Sequence, residues 1–222
     1  MNLENPQNPN PIATVNRISL FGEIASECTF SHDVFGEGFY NFNILVPRLS
    51  DASDLLPVTI SERIIEGSRF APGEHIGITG QIRSYNNYVE EEGRNRLILT
   101  VFAKDYEFYD DQTTASHNPN EVFLDGFICK PPIYRTTPFG REIADLLLAV
   151  NRSYNKSDYI PCITWGRNAR YGAKLAVGDN IKLWGRMQSR IYQKKQEHTD
   201  EVLEKTAFEV SVSRLEYATV PK

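Results

Sequence analysis

Cysteine is scarce in this sequence. Cys28, Cys129 and Cys162 are an odd count with no Cys-x-x-Cys pair. No disulfide framework is expected, and a reducing cytoplasm fits. Cys129 and Cys162 fall in apolar strand patterns and read as buried, inert thiols. Long apolar runs are also missing. Nothing approaches the roughly 18 residues a spanning helix needs, so no membrane segment is expected. Residues 1–15, opening Met1-Asn2-Leu3-Glu4-Asn5-Pro6, lack a basic stretch and an apolar core. They read as a flexible N-terminal arm, not a secretory signal. Catalytic signatures are absent too. His32, His75, His117 and His198 are scattered without metal-ligand spacing. There is no phosphate-cradling glycine loop and no Gly-x-Ser-x-Gly. Glu90-Glu91-Glu92 before Gly93 reads as a solvated turn, not a metal site. Neither an enzyme nor a cofactor or metal is expected.

What is present is unevenly distributed. The net charge is -5. Residues 1–118 hold 8 Lys and Arg against 17 Asp and Glu, a net −9, and residues 119–222 hold 16 against 12, a net +4. Such a split suggests divided labour, with the basic half the candidate for phosphate contact. The two halves also repeat. Asn16–Ile24 matches Glu121–Ile128 at an offset of 104, Val46-Pro47-Arg48 matches Val150-Asn151-Arg152, and Pro57–Ile60 matches Pro161–Thr164. One residue is then gained: Gly73, Gly80 and Ser84 match Gly178, Gly185 and Ser189. Two copies are too few for a solenoid, so each must bury its own core.

Within the second copy, strands are expected at Val122–Lys130, Arg141–Arg152, Tyr159–Trp165, Asn180–Tyr192 and Lys205–Tyr217, with a short helix over Ala169–Leu175. Ala144, Leu146, Leu148 and Val150 alternate as one apolar face, and Ile181, Leu183 and Met187 as another. Strand-strand-strand-helix-strand-strand is the order of the OB-fold, a five-stranded Greek-key barrel. Gly126, Gly166 and Gly185 suit the bends that closure needs. The expected class is all-β: OB-fold 1 over 16–109, a polar linker over 110–120 and OB-fold 2 over 121–217. Hairpin tips are expected at Glu90–Arg94 and Lys194–His198, where OB-folds carry a long binding loop.

Aromatics and arginines interleave on the strands of the second copy, a pairing that suits single-stranded nucleic acid: rings stack on bases and cations follow phosphates. The cations are Arg135, Arg141, Arg152, Arg167, Arg170, Arg186, Arg190, Lys194 and Lys195. Tyr159 and Trp165 share strand parity with Pro161 and Ile163, a mixed face that leaves their exposure open. Trp184 shares parity with Lys182 and Asn180, opposite Ile181 and Leu183, and is expected to point out of the barrel. Thr137-Pro138-Phe139-Gly140-Arg141, Ala149-Val150-Asn151-Arg152, Trp165-Gly166-Arg167 and Gly185-Arg186-Met187-Gln188-Ser189-Arg190 resemble the pattern of bacterial single-stranded-DNA-binding proteins.

The resemblance implies roles for several residues. It places Tyr154, Tyr159, Trp165 and Tyr192 at base-stacking positions. It puts the strand face of Asn180, Lys182 and Trp184 near a contact between subunits. Two OB-folds per chain are half the complement of a four-fold family assembly, so a homodimer is expected. Relatives often end in a Gly/Pro/Gln-rich tail with an acidic tip that recruits repair and replication proteins. This sequence ends Tyr217-Ala218-Thr219-Val220-Pro221-Lys222, so that route to partners is not expected. A specialised role on a mobile element or phage fits such a chain as well as chromosomal replication, recombination or repair.

The first copy lacks the stacking set. Ser50, Leu55 and Ser61 stand where the second has Tyr154, Tyr159 and Trp165, with Tyr85 and Tyr88 as possible substitutes for Tyr192. That half is expected to be architectural and to bind strands poorly. Two alternatives stay open: a primosome-type or assembly protein whose OB-folds mainly bind other proteins, and a binder of single-stranded RNA.

Overall fold

Apolar and polar residues alternate along nearly every strand, and that period sets the architecture. The structure, a computed structural model, describes residues 15–65, 67, 70–90, 93–109, 118–195 and 202–218. The first half contains β1 (Asn16–Ile24), β2 (Thr29–Val34), β3 (Glu37–Pro47), β4 (Ser53–Ser61), α1 (Glu62–Ile65), β5 (His75–Val89) and β6 (Arg94–Tyr109). The second repeats the order: β7 (Asn120–Ile128), β8 (Ile133–Thr136), β9 (Glu142–Arg152), β10 (Lys156–Trp165), α2 (Arg167–Gly172), β11 (Asn180–Lys195) and β12 (Val202–Tyr217). In the first half β1, β3, β4, β6 and β5 close into a ring, antiparallel except at β4–β6. In the second, β7, β9, β10, β12 and β11 do the same, with β10–β12 parallel. These are two OB barrels in tandem.

The expected apolar faces fill the barrels. Ala144, Leu146, Leu148 and Val150 are buried, as are Ile181, Leu183 and Met187. Gly80 and Gly185 sit where β5 and β11 shift register against β6 and β12. A Cβ there would lie 2.2 Å from the carbonyl oxygen of Phe102 or Ser211. Only glycine lets the strands approach so closely at the bulge.

Several expected boundaries move. Each half has six strands instead of five, because β2 and β8 form hairpins with β3 and β9. Both added strands are exposed throughout and so carry no buried-face alternation. The third strand of the second half begins at Lys156, before Tyr159, and α2 spans Arg167–Gly172 rather than Ala169–Leu175. β7 begins at Asn120, two residues before Val122, so the end of the expected linker is built into the fold. Pro119 accepts the Phe21 N–H at 2.9 Å, and the Asn120 amide exchanges hydrogen bonds with the Met187 backbone at 2.7 and 2.9 Å. The rest of that linker, 110–117, and residues 1–14 of the expected arm lie outside the described residues.

The halves are joined at a seam. β1 pairs antiparallel with β7, and Ile18 lies opposite Val122, its own counterpart in the repeat. A local two-fold axis therefore passes through that pair. Asn16 obeys it, exchanging hydrogen bonds with the Ile82 backbone as Asn120 does with Met187.

Two buried carboxylates reinforce the seam. Asp54 shares the inward parity of Leu56, Val58 and Ile60, and Asp158 that of Ile160 and Cys162. Asp54 reaches into the second half. It accepts from Arg186 Nη1 at 2.9 Å and the Ser189 N–H at 2.8 Å, and from Arg48 of its own half at 2.6 and 2.8 Å. Asp158 reaches the other way, to Arg83 Nη1 and the Ser84 N–H, each at 2.8 Å, and to Arg152 at 3.4 Å. A buried charge persists only when paired and hydrogen-bonded, and these are.

Candidate nucleic-acid interface

The β9–β10 hairpin and the outer face of β10 carry most of the rings singled out in the sequence. Ser153-Tyr154-Asn155 forms the turn, and Tyr154 and Asn155 adopt left-handed backbone, φ 61 and φ 54. Asparagine tolerates that conformation, whereas a tyrosine there is strained. Tyr154 stands almost entirely in solvent, 95% exposed. Tyr159 and Trp165 follow on one face of β10, 45% and 38% exposed, while Ile160, Cys162 and Thr164 point into the barrel. The face that parity left open is thus the outer one. Trp165 Nε1–H donates to Ser211 Oγ at 3.3 Å, which fixes the indole against β12. Tyr192 on β11 is half-buried, with the Arg190 guanidinium 5.7 Å from its ring centroid.

The first half holds part of this surface in place. The Tyr159 N–H donates to Ser84 Oγ at 2.7 Å, beside the clamp that Arg83 and Ser84 form on Asp158. A residue of β5 thus sets the position of the β10 edge.

The cations divide by their partners. Arg141 and Arg167 are exposed, with no side-chain partner among the described residues. Arg190 lies 3.5 Å from the buried Glu209, whereas Arg135 and Arg170 lie near surface carboxylates, Asp145 at 2.9 Å and Glu142 at 3.0 Å. Such exposed pairs are weak, about 0–1 kcal/mol, and readily exchange a carboxylate for another anion. Arg152 and Arg186 have a different occupation from the one expected, since they neutralise the buried Asp158 and Asp54. The Lys194 and Lys195 side chains and the tip at 196–198 lie outside the described residues. Near these positions the structure adds Phe139, 92% exposed in the β8–β9 turn, and Lys156, exposed just after the Tyr154 turn. Phe139 sits inside a motif already quoted for the resemblance, which was the available signal.

The Asn180, Lys182 and Trp184 face is also resolved. Trp184 points out of the barrel as parity required. Its ring lies 5.2 Å from Phe123, and the Arg214 guanidinium is 4.6 Å above it. Together with Arg17, Ser19, Thr79 and Glu121 it borders a groove of about 490 Å³ over the seam. Asn180 is used internally, its amide donating to Asp125 Oδ1 and the Gly126 carbonyl at 2.9 Å each. Lys182 Nζ lies 3.9 Å from Asp125. Of the three, Trp184 alone keeps its side chain turned toward the groove.

The first half also has exposed rings, Tyr85 and Tyr88 among them as the repeat suggested. Phe30 and Phe35 project from the β2–β3 hairpin, and Tyr85 and Tyr88 from β5. Burial pushes the thiols of Cys28, Cys129 and Cys162 above their ordinary range, which keeps them protonated and unreactive. Among the described residues no group of three His, Cys, Asp or Glu could hold a metal, and no helix is long and apolar enough to cross a membrane.

The fold and this surface define a class: two OB barrels in one chain, with an aromatic face on the second. The profile of the single-strand binding protein family matches residues 119–216. The single-stranded DNA-binding protein of Clostridium tetani is 35% identical over 98 residues, covering 41% of this chain and 68% of that one. Single-stranded DNA-binding protein A of Bacillus subtilis is 38% identical over 84 residues, covering 35% of this chain and 49% of the relative. The chain belongs to the single-strand binding protein family. It spans about half the length of the first curated relatives it matches. Over nearly its whole length it shares the fold of the single-stranded DNA binding protein from Thermus aquaticus, with a TM-score of 0.72 at 20% identity, covering 93% of this chain and 94% of the other.

Proposed function

We propose that this chain binds single-stranded DNA with little sequence preference, in replication, recombination or repair. Phosphate capture comes first and base stacking on the second half follows. The observation that carries this reading is the set of exposed rings, Tyr154 in the β9–β10 turn and Tyr159 and Trp165 on the outer face of β10, within a half of net charge +4 (16 Lys and Arg against 12 Asp and Glu). Stacking serves any base, which is why such a surface is sequence-tolerant. Arg141 and Arg167 meet phosphates directly. Arg135 and Arg170 do so by releasing their surface carboxylates, and Arg190 from beside the buried Glu209. Tyr192 extends the stack along β11. The first half positions the β10 edge through Ser84. We also assign the seam groove at Trp184 to contact with a second copy, giving a homodimer with four barrels.

A salt titration with labelled oligo-dT, oligo-U and duplex DNA tests the reading. Oligo-dT should bind most tightly, with affinity falling steeply as salt rises, because counterions are released from the strand. Equal affinity for duplex, or a flat salt response, would overturn it. Sedimentation should show a dimer at micromolar concentration, converted to monomer by Trp184→Glu.

A further inference from the structure

An acid stands among the cations of the second half. Glu209 shares the strand parity of Ser211, which takes the Trp165 N–H, yet it is only 7% exposed. A carboxylate repels phosphate, and burying one costs free energy unless it is paired. Its partners show what it holds. Gln188, directly across on β11, donates from Nε2 to Glu209 Oε1 at 2.8 Å, and Arg190 Nε lies 3.5 Å from the same oxygen. Gln188 Oε1 in turn accepts from Arg186 Nη2 at 3.0 Å, and Arg186 Nη1 donates to Asp54 of the first half at 2.9 Å. At the other end the Arg190 guanidinium is 5.7 Å from the Tyr192 ring centroid. A polar row thus follows alternate positions of β11 from the buried Asp54 to the Tyr192 ring, with Glu209 as its hub.

The first half builds the clamp without the row. At the repeat positions of Arg186 and Gln188 stand Gln81 and Arg83, the same two residue types exchanged. Arg83 holds Asp158 and also donates to Gln81 Oε1, so this glutamine lies behind its arginine along the strand, where Gln188 lies ahead of Arg186. Thr100 faces Arg83 where Glu209 faces Gln188, and Tyr85 stands at the position of Arg190. Either order of arginine and glutamine therefore serves the seam. Only the order in the second half carries the glutamine forward to an acid, and only there does the acid meet a further arginine. The seam does not require Glu209.

We propose that Glu209 and Gln188 are positioning residues for strand binding, which hold the Arg190 guanidinium beside Tyr192 before a strand arrives. An arginine free to sample many rotamers loses them on binding, and one already held loses fewer, so the difference appears as affinity. Arg190 meets Glu209 through Nε and is half exposed, which leaves its Nη donors for a phosphate. Gln188 fixes the carboxylate and, through Arg186, ties it to Asp54, so a carboxylate of the first half helps to order a cation and a ring of the second. The inference rests on the reading of the second half as a strand-binding face.

The test is anisotropy of the full chain with labelled oligo-dT, and the sign of one substitution decides. Glu209→Gln keeps an acceptor for the Gln188 amide but releases Arg190. It should bind about 2- to 30-fold more weakly than wild type, the range for coupling through a network. An acid that only repelled phosphate would give the opposite sign, so tighter or unchanged binding by Glu209→Gln overturns the proposal. In an Arg190→Ala background, Glu209→Gln should cause no further loss. An equal loss in both backgrounds would mean that Glu209 acts through the fold and not through Arg190, which also overturns it. Gln188→Met leaves the Glu209 charge in place but cuts its link to Arg186. It should weaken binding in the same range, again only while Arg190 is present, and it serves alone if Glu209→Gln does not fold. Trp165→Ala is run in parallel. If that variant is impaired while Glu209→Gln and Gln188→Met bind like wild type, this proposal falls and the second-half reading stands. If Trp165→Ala is unimpaired, that reading falls and takes this one with it.

Discussion

At Asp54, burial alone would favour the protonated acid and raise its pKa. The Arg48 hydrogen bond, the Ser189 N–H and the charges of Arg48 and Arg186 outweigh burial and hold the carboxyl below its usual range. Its folded value thus lies below the unfolded one, about 3.9. The stability this linkage supplies is complete above about pH 4 and is lost as pH falls through the folded value. Asp54→Asn should therefore cost about 3–5 kcal/mol at pH 7, the range for breaking a buried pair from one side. Its deficit in melting temperature should shrink below about pH 4, and thermal melts from pH 7 to pH 3 check both. Trp165 makes the opposite case, a ring held at the surface. Oligo-dT should quench its emission, and Trp165→Phe should lose most of that quench while Trp184→Phe keeps it. Trp165→Ala should weaken binding by about 1–3 kcal/mol. A ring filling the core would instead cost about 3–5 kcal/mol of stability. Tyr154→Gly should lower affinity without lowering the melting temperature, because glycine accepts the left-handed turn.

Among elements, β5 and β11 contribute most to closure, since each bends at its glycine to pair with two neighbours. Gly185→Ala would push a methyl group against the Ser211 carbonyl and should destabilise the second half by about 1–3 kcal/mol, read by thermal or urea unfolding. The bend was legible in the sequence because glycine recurs at 80 and 185 among alternating apolar residues. The parity of β9 was equally legible, since Ala144 to Val150 face a single core. β2 and β8 were not, because an exposed hairpin strand has no face to bury and leaves no period. The outward orientation of Tyr159 and Trp165 could not be read because Ile163, on their face, is itself buried. The role of Arg186 was hidden for another reason: its partner Asp54 lies 132 residues away. One signal was there to be read, a carboxylate at an inward position of an apolar strand, repeated 104 residues later.

In the whole molecule the two barrels divide the charge but share the seam. Residues 119–222 alone should retain most binding of short oligo-dT, and residues 1–111 should show little. The excised second half would expose the β7 edge, which ought to pair with the β7 of another copy. Size-exclusion chromatography over a dilution series should then show a concentration-dependent dimer. In the intact chain the linker makes that pairing intramolecular, so it does not come apart on dilution. The register at Ile18 and Val122 has a further consequence. A pair of identical subunits facing each other across a two-fold axis must place every substitution twice, once on each side. Here the two sides are written separately in one chain, so each can change alone. One side could gather cations while the other gathered acids, with the axis between them kept.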